Sequence, residues 1–330
     1  MGFDMSVSAI RPDVRVFLEN LSRTPLARME ELGVERVRAL SKGIRTARGG
    51  VDQSGVIVRD VYAQSASGKI GLRCYEADRG TASGPVIVYF HGGGFVLGDL
   101  DSHHGVCLAM VRALRLPVVS VDYRLAPEHP WPAAPDDAEA AARWIAANAS
   151  IALNLEATGL VLAGDSAGAN LAAVTARVLT DQPATLPLVA QFLIYPCVTP
   201  KRATRSLTEN GEGFFLTHAA IDWFEANYRA PPDDPRFNLL VFDQSGMPPT
   251  LVVTASLDPL RDEGRCYAGM LIEAGVSVVF QEAVGNIHGC FSMSAAIPST
   301  SKDMDRAFEA LRSLISDAAP LRDMARMSVE

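Results

Sequence analysis

Six unbroken apolar runs constrain this chain more than any other feature: VIVYF at 86–90, LPVVSV at 116–121, LVLA at 160–163, LVAQFLIY at 188–195, TLVVTA at 250–255 and VSVVF at 276–280. A strand that packs on one face alternates apolar and polar residues, whereas a strand buried on both faces reads as a continuous apolar run. Between the runs lie helical stretches such as PDDAEAAARWIAANA (135–149) and AGANLAAVTARVLT (167–180). Strands that alternate with helices predict an α/β chain whose mostly parallel sheet is covered on both sides. Ahead of them, GVIVRDVYAQ and GKIGLRCYEA alternate with period two around a turn at 65–68, the pattern of an antiparallel hairpin feeding the sheet edge.

Two regions stand apart from this alternation. RPDVRVFLENL (11–21) gathers Val14, Phe17, Leu18 and Leu21 on one helical face, and MEELGVERVRAL (29–40) does so with Leu32, Val37 and Leu40. Residues 200–235 interrupt the series with the apolar helical pattern EGFFLTHAAIDWFEANY (212–228), closed by Pro231, Pro232 and Pro235. A lid over a site and an ordinary crossover helix both fit this segment. The resulting division is 1–50, a core of 51–199 and 236–330, and an insertion at 200–235.

The totals exclude several function classes. A net charge of −8 disfavours nucleic acid and anionic membrane surfaces as partners. No apolar run approaches the roughly 20 residues needed to span a bilayer. The start MGFDMSVSAIRPD lacks a basic n-region, an apolar h-region and a cleavage site, so export is not expected. Five widely spaced cysteines with no C-x-x-C pair predict free thiols in a reducing compartment and no structural zinc, so a cytoplasmic protein is expected.

VLAGDSAGAN (161–170) contains the pattern G-x-S-x-G between an apolar strand and an alanine-rich helix, the context in which that pattern places a nucleophilic serine, Ser166, on a sharp turn. Serine is a weak nucleophile near neutral pH and needs a base held by a third group. Of the histidines, His288 lies in the glycine-flanked loop GNIHGC just after the last strand, on the sheet edge where Ser166 ends. His103 and His104 begin a helix, His129 sits among prolines and His218 lies in the insertion. The orienting acid should follow another strand between serine and histidine in chain order. TLVVTASLDPLRDEG supplies Asp258, with Asp262 as its competitor and Glu263 beside it as a capping group.

Three consecutive glycines, Gly92–Gly94, leave the first central strand in YFHGGGFVLGD (89–99). A phosphate cradle, an oxyanion site and a tight turn each demand bare backbone. Phosphate binding fails on spelling, because G-K-[ST] and a helix-opening G-x-G-x-x-G are missing. Beside a serine nucleophile the glycines read as an oxyanion site, with the N–H groups of Gly92, Gly93 and Ala167 as donors.

HGGGF, DYRLAPEHPWPAAPDD, GDSAG, DPLRDEG and IHG, in that order across residues 12–316, resemble the hormone-sensitive-lipase-like family of α/β-hydrolase esterases. The resemblance implies an eight-stranded, mostly parallel sheet with a helical cap made from the N-terminal segment and the insertion. It places Ser166, Asp258 and His288 on the family's triad positions, and Gly92, Gly93 and Ala167 on its oxyanion hole. It further implies that Arg124 and Glu128 brace the catalytic loops and that Ala126–Pro127 and Trp131–Pro132 are cis. Three departures stand out. Ala169 replaces a glycine. His104 replaces an aspartate whose contact under the glycine loop would be lost. Cys290 replaces a phenylalanine, implying a roomier wall near His288.

The expected function is a serine carboxylesterase acting on short- to medium-chain esters, with a small-molecule ester as partner and no metal or organic cofactor. Phe95, Val96, Leu97, Phe214, Phe215, Leu216 and Leu260 are the candidate pocket walls. A binding protein without catalysis on the same scaffold and an amidase or peptidase with the same triad are the rival readings. A homodimer is the assembly taken from the resemblance.

Overall fold

The unbroken runs become the buried strands of a single sheet. In the computed structural model the described residues are 10–327 apart from 24–28, 48–49, 81–82, 151–152, 154 and 201–202; the start on which the export expectation rests lies largely outside them. In chain order the elements are α1 (Pro12–Arg23), a 3-10 turn (Met29–Glu31), α2 (Val34–Ala47), β1 (Val56–Ser65), β2 (Gly68–Ala77), β3 (Gly84–Phe90), α3 (His104–Leu114), β4 (Val118–Asp122) and α4 (Ala133–Asn148). Then follow β5 (Ala157–Asp165), α5 (Ala167–Asp181), β6 (Leu188–Ile194), α6 (Arg205–Asn210), α7 (His218–Tyr228), β7 (Thr250–Leu257), α8 (Arg261–Glu273), β8 (Val278–Ile287), a 3-10 turn (Cys290–Met293) and α9 (Thr300–Met327).

The eight strands lie in the order β1-β2-β4-β3-β5-β6-β7-β8. The β1/β2 and β2/β4 pairs are antiparallel and the remaining pairs parallel. All seven residues of β3 are buried, which is why its sequence carries no polar alternation. Val86, Val88 and Phe90 point into the core that includes α4, α5 and α8, while Ile87 and Tyr89 point into the core under α3 and α9. The chain leaves β3 for β4 on one side and returns to β5 on the other. At such a reversal the connections diverge and open a crevice at the carboxyl ends of the strands. The glycine loop and Ser166 both begin there.

Two helical expectations break at identifiable residues. The stretch 29–40 is a 3-10 turn, then a helix that starts only after Gly33; glycine inside a helix costs about 1 kcal/mol relative to alanine. Val37 faces the core, but Leu40 is 42% exposed. The stretch 212–228 is helical only from His218, where Thr217 caps α7 by accepting the Ala220 N–H. Gly213 and Phe215 take positive φ before that cap, which a helix cannot accommodate. Strand β8 also outlasts its apolar run. It continues through the mixed residues 281–287 because Leu257 still pairs with Ile287, and that pairing delivers the chain to His288. No helix among the described residues is long and apolar enough to cross a membrane.

Candidate active site

Ser166 sits between β5 and α5 with φ 55° and ψ −120°, a conformation that serine rarely adopts. The turn is tight because β5 and α5 press against the end of β3. A Cβ on Gly164 would collide with Gly168 O and the Phe90 carbonyl, and one on Gly168 would collide with Phe90 O. The two outer glycines of G-x-S-x-G therefore answer a backbone contact with β3. The Ser166 N–H donates to Ile194 O at 2.9 Å, which fixes the turn against β6.

His288 Nδ1 lies 2.7 Å from Asp258 Oδ2, and its Nε2 lies 2.8 Å from Ser166 Oγ. The carboxylate accepts the Nδ1 proton, so Nε2 is left to accept from the serine hydroxyl. Asp258 is fully buried and accepts the Leu260 N–H at 2.8 Å through its other oxygen. Tyr195, at φ 36°, packs its ring 4.8 Å from the imidazole. Asp262 lies elsewhere. It pairs with Arg261 at 2.7 Å and accepts the Ser206 N–H at 2.8 Å, tying α6 to α8. Glu263 accepts the Val198 N–H at 3.0 Å.

The glycine loop corrects one expectation. The Gly92 N–H does not face the opening, because it donates to Asp165 Oδ1 at 2.8 Å. Asp165 also accepts Tyr89 Oη–H at 2.7 Å and the His103 Nε2–H at 3.2 Å. Burial alone would raise this carboxyl, but the field of His103 and these hydrogen bonds outweigh it and hold Asp165 below the ordinary carboxylate range. Among the described residues, no protein group accepts the N–H of Gly93 or Gly94. Ala167 opens α5, where the first N–H groups have no partner within the helix. The fold thus leaves unpaired amides beside Ser166, one residue later in the loop than the spelling implied.

His91 closes the loop from beneath. Its ring stacks on Tyr123 at 4.4 Å, and its Nδ1 lies 2.9 Å from Gly92 O. Burial, with help from nearby His103, pushes this imidazole down to about 4. Between that value and the unfolded value near 6.5, the unfolded chain binds a proton that the folded one refuses. Stability is therefore lost as pH falls from about 6.5 toward 4, by about 3 kcal/mol for this residue. His104, also lowered by burial, acts in the same direction. Urea melts at pH 7, 6, 5 and 4.5 should show that decline, and His91→Gln should flatten it. A flat wild-type profile would contradict the assignment.

Around the site, Arg124 donates to Asp137 through Nε and Nη2, both at 2.8 Å. Glu128 is held by Arg38 of α2, whose guanidinium also donates to Val96 O at 2.9 Å and Ala126 O at 2.8 Å. Both X–Pro bonds, Ala126–Pro127 and Trp131–Pro132, are cis. His104 turns away to Tyr75 Oη and Gln53, at 3.0 and 2.9 Å, so the polar contact under the glycine loop comes from His103 instead. Cys290 is fully buried in the core beneath α9 and does not enlarge the wall beside His288.

The pocket residues divide by burial. Phe95, at φ 62°, turns under the loop and stacks on Tyr228 at 3.9 Å, and Val96 is fully buried beside it; these two pack the core instead of lining an opening. Leu216 and Leu260 are buried in the same cluster. Leu97 and Phe214 are half-buried, and Phe215 is 42% exposed. Phe224 of α7 lies over Gly94, where a Cβ would meet its ring. Sequence reasoning passed over Asp165, His103, Tyr195 and Arg38.

The pattern of a family with the alpha/beta hydrolase fold matches residues 87–292. Carboxylesterase NlhH of Mycobacterium tuberculosis is 37% identical over 310 residues, covering 92% of this chain and 96% of the relative. An ethyl acetate hydrolase of Pseudomonas putida is 36% identical over 234 residues, covering 70% of this chain and 73% of its own. Among solved structures, a thermostable esterase from Pseudomonas putida superposes with a TM-score of 0.87 at 31% identity, covering 93% of this chain and 98% of that one. The chain belongs to the hormone-sensitive-lipase-like carboxylesterases, carboxylic ester hydrolases of the α/β-hydrolase fold.

Proposed function

We propose that Ser166, His288 and Asp258 carry out two-step acyl transfer on small esters. The observation behind this reading is the unbroken chain of hydrogen bonds, 2.8 Å from Ser166 to His288 and 2.7 Å from His288 to Asp258. As Ser166 Oγ attacks the carbonyl carbon, its proton passes to His288 Nε2, while Asp258 holds the tautomer and stabilises the imidazolium. The oxyanion is met by the N–H groups of Gly93, Gly94 and Ala167, aided by the N-terminus of α5. When the intermediate collapses, the alcohol leaves with the proton from His288. Water then repeats the sequence in reverse and frees the acid.

The N-terminal helices and the 200–235 insertion act as the cap in this reading. It is supported by Phe224 lying over Gly94 and by the edge-to-face contact of Phe17 with Phe215 at 6.0 Å. Apolar side chains such as Phe224, lying over the glycine loop, suit short- to medium-chain acyl groups. A cytoplasmic setting accords with the free cysteines, of which only Cys266 is exposed. A series of p-nitrophenyl esters from acetate to palmitate tests the substrate class: kcat/KM should peak at butanoate to hexanoate. A maximum at palmitate would overturn it.

A further inference from the structure

Phe215 occupies a conformation that packing alone does not explain. It sits at φ 76°, where a bulky side chain is an outlier, and it leaves 42% of its surface exposed. Strain of this kind persists where surrounding structure holds it, and it clusters at ligand clamps and active sites. Here the loop between α6 and α7 holds the ring beside the residue that follows His288. A Cβ on Gly289 would lie 3.5 Å from Phe215 Cε1 and 3.4 Å from Met293 Cε. The ring also meets Phe17 of α1, centroids 6.0 Å apart and planes at 64°. Two aromatic rings from segments nearly 200 residues apart in sequence thus meet at the imidazole end of the site.

The chemistry says which half of the substrate passes there. The leaving oxygen must take its proton from His288 Nε2, so the alcohol half of the ester lies on the His288 side, and the carbonyl oxygen points to the glycine loop. We propose that Phe17 and Phe215 form an aromatic clamp for the alcohol half, and that the enzyme selects esters of aromatic or bulky apolar alcohols. The proposal rests on the catalytic roles assigned above and adds the alcohol-side specificity.

Two ratios measured on one enzyme test it. Benzyl and ethyl acetate share an acyl group and have leaving alcohols of similar basicity. Ethyl hexanoate and ethyl acetate share the alcohol. In the wild type, kcat/KM should favour benzyl over ethyl acetate by about tenfold, the scale of one aromatic contact with its buried area. Phe215→Gly removes the ring and suits a positive φ, so its melting temperature should hold or rise while the benzyl preference falls to about twofold, mainly through KM. Phe17→Leu should give an intermediate loss. The hexanoate-to-acetate ratio should stay the same in both variants. A benzyl preference that survives Phe215→Gly, or a change confined to the acyl ratio, overturns the clamp. Failure of a fluorophosphonate to label Ser166 stoichiometrically would strike the catalytic assignment instead, so the two failures are distinguishable.

Discussion

Replacing Ser166 by Ala should lower kcat for p-nitrophenyl butanoate by about 10⁵-fold or more, with the fold intact. In the proposed mechanism this hydroxyl forms the covalent bond, and it lies 2.8 Å from His288 Nε2. Its removal leaves the amides of the glycine loop and α5 in place, so substrate should still bind. The residual rate would be what those donors supply. Melting temperature should change little, because the elbow is set by Gly164 and Gly168 against β3 and by the Ser166 N–H to Ile194 O. Stopped kinetics on protein judged folded by circular dichroism is the measurement. Turnover near the wild-type rate would remove Ser166 from the mechanism.

Asp258→Asn should cost about 10⁴-fold in kcat, the effect of imposing the wrong imidazole tautomer. The geometry dictates the outcome. Asp258 Oδ1 accepts the Leu260 N–H at 2.8 Å, so the asparagine must keep its carbonyl oxygen there and turn its amide toward His288. An amide N–H facing Nδ1 makes Nδ1 an acceptor and moves the ring proton to Nε2, where it opposes the serine hydroxyl. Size and burial are unchanged, so stability should be largely preserved. Asp262→Asn is the control: that carboxylate pairs with Arg261 and Ser206, and its loss should alter kcat by less than about threefold. If the two variants behave in the opposite order, the orienting acid has been misassigned.

Much of this was legible because strand burial and the elbow leave direct traces in spelling. Continuous apolar runs mark strands covered on both faces, and the glycines at 164 and 168 answer contacts that no side chain could survive. Chain order then narrowed the base and the acid to His288 and Asp258, whose side chains lie within hydrogen-bonding distance. Reading failed where a residue's partner is set by space and not by neighbours in sequence. That Gly92 gives its N–H to Asp165 depends on a carboxylate 73 positions away, at the end of the neighbouring strand β5. Phe95 and Val96 adjoin the glycines, yet the positive φ at Phe95 turns its ring into the core. The helix expected over 212–228 carried apolar spacing throughout, but the Thr217 cap and Phe215 at φ 76° decide where it begins.

Arg38 has a consequence for recombination. Of the three partners that receive its guanidinium, Val96 O and Ala126 O are main-chain carbonyls, which any homologous backbone provides; only Glu128 depends on the identity of a side chain. Along α1 the contacts are coded on both sides instead, by Arg11 on Asp303 at 2.6 Å, Ser299 on Asp13 at 2.9 Å and Phe17 on Phe215. Transplanting the N-terminal helices between relatives therefore requires acids at both 128 and 303 in the recipient, and a foreign roof would seat only where these coded contacts are met together.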